Sequence, residues 1–267
     1  MIVARRTVSR TVALEGLGLH SGEPVRVRIH PGEDGIAFRR GETRTAARPE
    51  NVTDTRRCTR LGEVSTIEHL MSAFAGLGVT DAEVEADAEL PGLDGSALPF
   101  FSALRDAGLT ELGQTERPAL FKRVFLQEGE TKIAIARGHG HWRYVFDSGD
   151  RWPGVQEFDA LQVTEAYERE IAPARTLVFG TEVEAARAAG LGRGLDETSV
   201  VVLDEGGYRF PTRFPEEPAR HKLLDLIGDL YLAGIPIHEL SVVGERSGHK
   251  SNVEAAHRLL QMLGEAG

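Results

Sequence analysis

The stretch EPVRVRIHPG sets Val25, Val27 and Ile29 against Arg26 and Arg28, an alternation of period two that predicts a strand with one buried face. GIAFRR and DAEVEADAEL obey the same rule, the latter with Val84, Ala86 and Ala88 alternating against acids. Between them the period changes. In STIEHLMSAFAGLG the apolar positions Ile67, Leu70, Met71 and Phe74 recur at helical spacing. They predict a helix with Ser65 or Thr66 as its cap, closing on Gly76 and Gly78. LPFFSALRDAG predicts a second helix, opening at Pro99, where a missing N–H is tolerated, and ending at Gly108.

The next stretch, from Leu109 to Ala119, is polar, carries Gly and Pro and shows no period, so a linker is expected there. Strand patterns return in TKIAIARG, HWRYVFDSG and TSVVVLDEGG. ARHKLLDLIGDLYLAG then predicts a long amphipathic helix, HELSVVGERSG a strand and SNVEAAHRLLQMLG a closing helix. The two halves end alike. Each runs from a helix with a histidine in its first turns, through an alternating strand and a glycine-bearing turn, into a final helix. One copy spans His69, GLDGSA and Gly108; the other spans His221, RSGHKSN and Gly264. A duplicated α+β unit is the reading, with domains over residues 1–114 and 115–267, each a sheet with two helices. Equivalent helices facing one another would leave a shared cleft between His69 and His221.

At 267 residues and 41% hydrophobic composition, the chain can bury a core in each half. No segment approaches the roughly 18 apolar residues of a membrane span, and MIVARRTVSR lacks the apolar run of a signal peptide, so a soluble cytoplasmic protein is expected. The net charge of −10 has the wrong sign for binding nucleic acid through phosphates. A small anionic ligand could still use a local cation cluster such as Arg56, Arg57 and Arg60, although such a run is equally a solvated surface. The single cysteine, Cys58, reads as a core or pocket-wall residue. It excludes an internal disulfide and a thiolate-built zinc site, so a metal would have to use His, Asp or Glu.

His221, Asp225 and Asp229 follow one another at intervals of four and share one stripe of the long helix. Imidazole and carboxylate one turn apart can chelate a divalent ion, and zinc with three protein ligands and an open fourth position suits such a set. A solvated helix face would present the same stripe. Glu68 beside His69 would put a general base next to a metal ligand, or else merely favour the positive end of a helix. There is no HExxH motif. His249, in a glycine-bearing turn before the last helix, is placed to donate a proton or to sit on the surface, and His20 in GLGLHSG is as ambiguous. The histidines at 30, 139, 141, 238 and 257 have no context that separates them from surface residues.

Six motifs carry a resemblance: GLGLHSG, STIEHLMSAFAGLG, ELPGLDGSALPF, PART at 173–176, RHKLLDLIGDLYLAG and SGHKSN. In this order they resemble those of the zinc-dependent UDP-3-O-acyl-N-acetylglucosamine deacetylases of lipid A synthesis, and the likeness spans about residue 5 to residue 262. The resemblance implies two domains whose helices pack between two sheets. It implies one zinc, or iron in its place, bound by His69, His221 and Asp225. Glu68 would be the base that activates water, and His249 the cation that stabilises the oxyanion and protonates the leaving amine. Asp229 would support His249 and Thr176 would hydrogen-bond the oxyanion. Lys222 would meet a polar or phosphate part of the substrate, and His20 would stand behind the ligands. An insert over about residues 170–197 would form an apolar passage for the fatty acyl chain, with Phe179 as one wall. The substrate would be an acylated UDP-amino sugar and the enzyme a monomer. The chain departs from the family pattern in its short LGEV loop, at Gly92, at Leu177 after Thr176 and in RGLDETS. These departures leave room for another N-acylated sugar or lipid as substrate, or for a non-catalytic metal-binding descendant.

Overall fold

The computed structural model describes residues 1–117, 120 and 122–264. The first half builds β1 (Ile2–Val8), β2 (Val12–Leu17), β3 (Pro24–Pro31), β4 (Ile36–Arg40), β5 (Thr43–Ala46), β6 (Val52–Asp54), β7 (Arg60–Leu61), α1 (Glu68–Leu77), β8 (Ala82–Ala86) and α2 (Leu98–Ala107). Five strands form a sheet in the order β2-β3-β8-β4-β5. Only the β4–β8 pair in it is parallel, and the crossover that a parallel pair requires contains α1.

β9 (Leu109–Glu116) follows, and the second half contributes β10 (Val124–Glu128), β11 (Thr131–Arg137), β12 (Trp142–Asp147), β13 (Val155–Ala160), α3 (Val163–Ala166), β14 (Leu177–Phe179), α4 (Val183–Ala188), β15 (Val201–Asp204), β16 (Gly207–Tyr208), α5 (Glu217–Leu230), β17 (Leu240–Glu245) and α6 (His249–Gly264). Its main sheet runs β10-β11-β17-β12-β13, with β12 and β17 parallel across a crossover that contains α5. Both sheets therefore share one order, with a long helix (α1 or α5) before the fifth strand and another (α2 or α6) after it; the second half adds the short α3 and α4 ahead of α5. α5 lies on β12 and β13, α6 on β10 and β11, α2 against β2, and α1 along α5, so the helices fill the space between the sheets.

The alternating strands bury the face the pattern assigns them: Val27 and Ile29 of β3 and Val84 of β8 are fully enclosed, while Arg28 pairs with Glu85 on the outer face. α5 is buried on all sides, its Leu223, Leu226 and Ile227 on one face and its His221, Asp225 and Asp229 on the other. This settles the ambiguity of the polar stripe: it is no solvated face. α1 reaches α5 at backbone distance because position 228 has no side chain. A Cβ on Gly228 would lie 2.1 Å from the Glu68 carbonyl oxygen.

Three sequence expectations need correction. The expected linker is β9, antiparallel to β1 in a separate two-stranded ribbon, and the boundary placed at 114/115 falls inside it; residues 118 and 119 lie outside the described residues. β9 itself has no buried residue, so no apolar period marks it. Neither Ser65 nor Thr66 caps α1. Thr66 adopts a φ of 63° and its hydroxyl donates to Glu89, and Ser65 donates to the Ala88 carbonyl just past the end of β8, which leaves Ala88 exposed. α6 begins at His249 itself, before the expected Ser251. No helix among the described residues is long and apolar enough to cross a membrane.

Candidate metal centre and active site

The first turn of α1 presents Glu68 and His69 to α5, and the two helices bring His69, His221 and Asp225 together. Their ligand atoms all lie within 4.8 Å of one another. Asp225 Oδ1 stands 3.6 Å from His69 Nε2 and 3.5 Å from His221 Nε2. His221 Nδ1 is 3.0 Å from the Ala174 carbonyl, which can only accept, so Nδ1 carries the proton and the Nε2 lone pair faces Asp225. Asp225 Oδ2 accepts from Lys222 Nζ at 2.8 Å, whereas Oδ1 is buried without any hydrogen-bond partner. A buried, unpartnered carboxylate oxygen between two imidazole nitrogens is costly unless a cation completes it. Burial alone would raise the Asp225 carboxyl, but Lys222 and His221 hold it well below the usual carboxylate range. Burial lowers His221 to about 4, so its ring is neutral at physiological pH, the form in which an imidazole can bind a metal. Two imidazoles and a carboxylate, without thiolates, fit a zinc ion with one open position.

Glu68 and His249 flank this cluster, with His249 Nε2 3.9 Å from Glu68 Oε1. Burial pushes the Glu68 carboxyl up; the charges of His249 and His69 oppose it. His249 Nδ1 donates to Asp229 Oδ2 at 3.0 Å, and Asp229 also accepts from Asn252 Nδ2 at 3.0 Å and Thr59 Oγ1 at 2.5 Å. Burial, like the positive end of α6, disfavours a cation at His249. The carboxylates of Asp229 and Glu68 outweigh it and raise the imidazole to about 9.

These groups close one end of a cavity of about 710 Å³ whose other walls come from the 177–202 segment, including Leu177, Val183, Leu191 and Leu195. Thr176 lines it beside the ligands. Its backbone is fixed by Gly95 and Val201, and next to it the Arg175 guanidinium forms a buried pair with Glu217 at the start of α5 (2.9 Å) and donates to the Thr198 and Pro211 carbonyls. That anchor holds Ala174, whose carbonyl orients His221. His20 also lines the cavity: its Nδ1 accepts from Gly192 N–H at 3.4 Å, and Glu89 accepts from the His20 and Ser21 backbone. Burial lowers the His20 imidazole.

Of the three arginines near Cys58, Arg57 reaches the cavity, whereas Arg56 folds back onto Asp54. Cys58 is buried, as expected of a core residue. Phe179 does not line the cavity. It borders a second one of about 370 Å³ with Tyr144 and Arg246, where the Arg151 guanidinium lies 3.4 Å from its ring centroid. Lys222 stands at both cavities. Gly92 has a local cause: a Cβ there would approach Leu19 Cα to 3.0 Å. Sequence reasoning missed Thr59, Glu89, Arg175 and Asn252. Asn252 alone had a periodic signal, three residues after His249 at the start of a helix.

A cation site with a carboxylate on one side and an imidazolium on the other has the equipment of a metal-dependent hydrolase. The comparisons narrow the class. The family model LpxC, UDP-3-O-acyl N-acetylglycosamine deacetylase, matches residues 5–261, and the chain belongs to this family. A relative from Anaeromyxobacter dehalogenans, named UDP-3-O-acyl-N-acetylglucosamine deacetylase, is 36% identical over 98% of this chain and 92% of its own. Relatives of the same name from Geotalea uraniireducens (34% identical, 97% of this chain, 88% of its own) and Acidithiobacillus ferrooxidans (37%, 98% and 90%) agree.

Proposed function

We propose that this chain hydrolyses the N-acetyl group of UDP-3-O-acyl-N-acetylglucosamine to the free amine and acetate, the committed step of lipid A synthesis, as a zinc-dependent monomer in the cytoplasm. The observation that carries the reading is the unpartnered Asp225 Oδ1 between His69 and His221, with Glu68 and His249 on either side. Zinc, held by those three ligands, would supply Lewis acidity that acidifies a water and polarises the amide carbonyl.

Glu68 as carboxylate takes the proton of the attacking water. His249, kept as imidazolium by Asp229, stabilises the developing oxyanion by its charge and passes the Nε2 proton to the leaving nitrogen. The Thr176 hydroxyl donates to that oxyanion. Each positioned acid or base is worth on the order of 10² to 10⁴ in rate. The apolar walls of the larger cavity would take the acyl chain. Lys222, at the passage to the second cavity, would meet the diphosphate, with Arg246 and Arg151 beyond it. His20 would hold the loop that lies across the insert. We also read the chain as two domains, the first ending with β9 and the second carrying the insert.

Acetate release from UDP-3-O-(hydroxyacyl)-N-acetylglucosamine tests this directly, before and after chelation and with one equivalent of zinc or iron(II) restored. Turnover that returns with metal supports the reading. Metal uptake with no acetate formed would shift the substrate to another N-acyl sugar or lipid.

A further inference from the structure

Thr59 lies in the turn between β6 and β7, a segment without helical or strand period, and it is fully buried. All three of its polar groups are engaged, each with a different part of the site. Its N–H donates to Glu68 Oε2 at 3.0 Å. Its carbonyl accepts from Ile67 N–H at the entrance to α1 (3.3 Å). Its hydroxyl donates to Asp229 Oδ1 at 2.5 Å, and Asp229 in turn holds His249.

We infer that Thr59 is a positioning residue that sets the separation of the base Glu68 from the acid His249, by bonding the first directly and the second through Asp229. The inference rests on the roles proposed above for Glu68 and His249. Those side chains come from α1 and α6, two elements whose relative placement is otherwise set by packing against α5. Packing tolerates shifts of a few tenths of an ångström. Proton transfer to and from one substrate group does not, because donor and acceptor must both lie within about 2.6–3.2 Å of their targets. One residue hydrogen-bonded both to Glu68 and to the Asp229 that holds His249 removes that freedom. Thr59 touches none of His69, His221 and Asp225 by hydrogen bond, so its contribution separates from metal binding.

Thr59→Val replaces the hydroxyl by a methyl and keeps the backbone bonds. It should retain wild-type metal content and KM while kcat falls about 10- to 100-fold, the usual cost of removing a hydrogen bond behind the reacting groups. Thr59→Ser should recover kcat to within a few-fold. Adding Thr59→Val to Asp229→Asn should cost little further, since the hydroxyl acts through Asp229. If the valine variant does not fold, Thr59→Ala carries the same comparison. An unchanged kcat, a loss confined to KM or metal content, failure of serine to restore, or full additivity with Asp229→Asn would each overturn the inference. Glu68→Gln, assayed alongside, keeps the two failures apart. If it retains turnover, the assignment of the base is wrong. If it is inactive while Thr59→Val is normal, the inference about Thr59 alone falls.

Discussion

His249 Nδ1 lies 3.0 Å from Asp229 Oδ2, which leaves Nε2–H as the free proton of a ring whose pKa stands at about 9 rather than 6.5. Asp229, Glu68 and Asp225 all face it, and their charge outweighs the burial that would lower it. The donor form is therefore present at neutral pH and disappears as the pH rises through about 9. The kcat profile should show an alkaline limb near that value, and Asp229→Ala should move the limb to lower pH while reducing kcat. The same shift is linked to stability. A group whose pKa is raised on folding contributes fully below its unfolded value of 6.5, and that contribution fades as pH rises through about 9. Thermal unfolding of chelated protein should thus show a His249-dependent loss across this window, absent in His249→Gln. An alkaline limb left unmoved by Asp229→Ala would detach Asp229 from the acid.

The roles proposed for the metal ligands and for the base separate by what each substitution removes. His221→Ala and Asp225→Ala should leave purified protein with little bound zinc by elemental analysis. Glu68→Ala should keep roughly the wild-type metal content and lose nearly all turnover, by about 10²- to 10⁴-fold. Normal zinc in Asp225→Ala would break the coordination set. Loss of zinc in Glu68→Ala would make that carboxylate a ligand.

Much of this is legible in the amino-acid sequence, and what is not has physical causes. Val25 to Ile29 announced its strand because it buries one face, and one face is what periodicity reports; Ile67 to Phe74 is buried on every side, and its apolar period shows because the remaining positions carry the small or polar Glu68, His69, Ser72 and Ala73. β9 buries neither face, so its sequence reads as a linker. His221 and Asp225 were visible as residue types at chelating spacing, and His69 joined them as a ligand through the family likeness, but the choice between a metal stripe and a solvated stripe was open until α5 proved buried all round. Glu68 and His249 were named together only through the family likeness, since nothing local shows that α1 and α6 meet. Thr59 and Arg175 act through long-range hydrogen bonds from irregular segments, which carry no period. Phe179, expected as a wall of the acyl passage, lines the smaller cavity and not the larger one.

The close approach of α1 to α5 makes Gly228 a sensitive position. Even a methyl would meet the Glu68 carbonyl at 2.1 Å and the Ser72 nitrogen at 3.1 Å, both backbone atoms that cannot rotate away. Gly228→Ala should therefore cost about 1–3 kcal/mol of stability, as overpacking does, although alanine is the better helix former. Urea titration measures this. Because the displaced atom belongs to Glu68, kcat should fall more than KM rises. A stabilised variant would mean that the helices are less tightly apposed than the structure has them.

The walls of the larger cavity make a prediction about chain length that separates them from Phe179. Leu177, Val183, Leu191 and Leu195 offer apolar surface in the cavity that His69, His221 and Asp225 also line, and each buried methylene of an acyl chain is worth about 0.8 kcal/mol, or about fourfold in kcat/KM. Ala186, on the same wall, has room to grow. Ala186→Trp should block part of the passage, so that kcat/KM falls steeply for long acyl chains and hardly changes for a short one. Phe179→Ala should leave that length dependence intact and instead weaken binding of the nucleotide part, because its ring lies with Arg151 on the far side of Lys222. Measuring kcat/KM across a series of acyl lengths for both variants decides it. If Phe179→Ala alters the length preference and Ala186→Trp does not, the acyl chain runs through the smaller cavity and the two assignments must be exchanged.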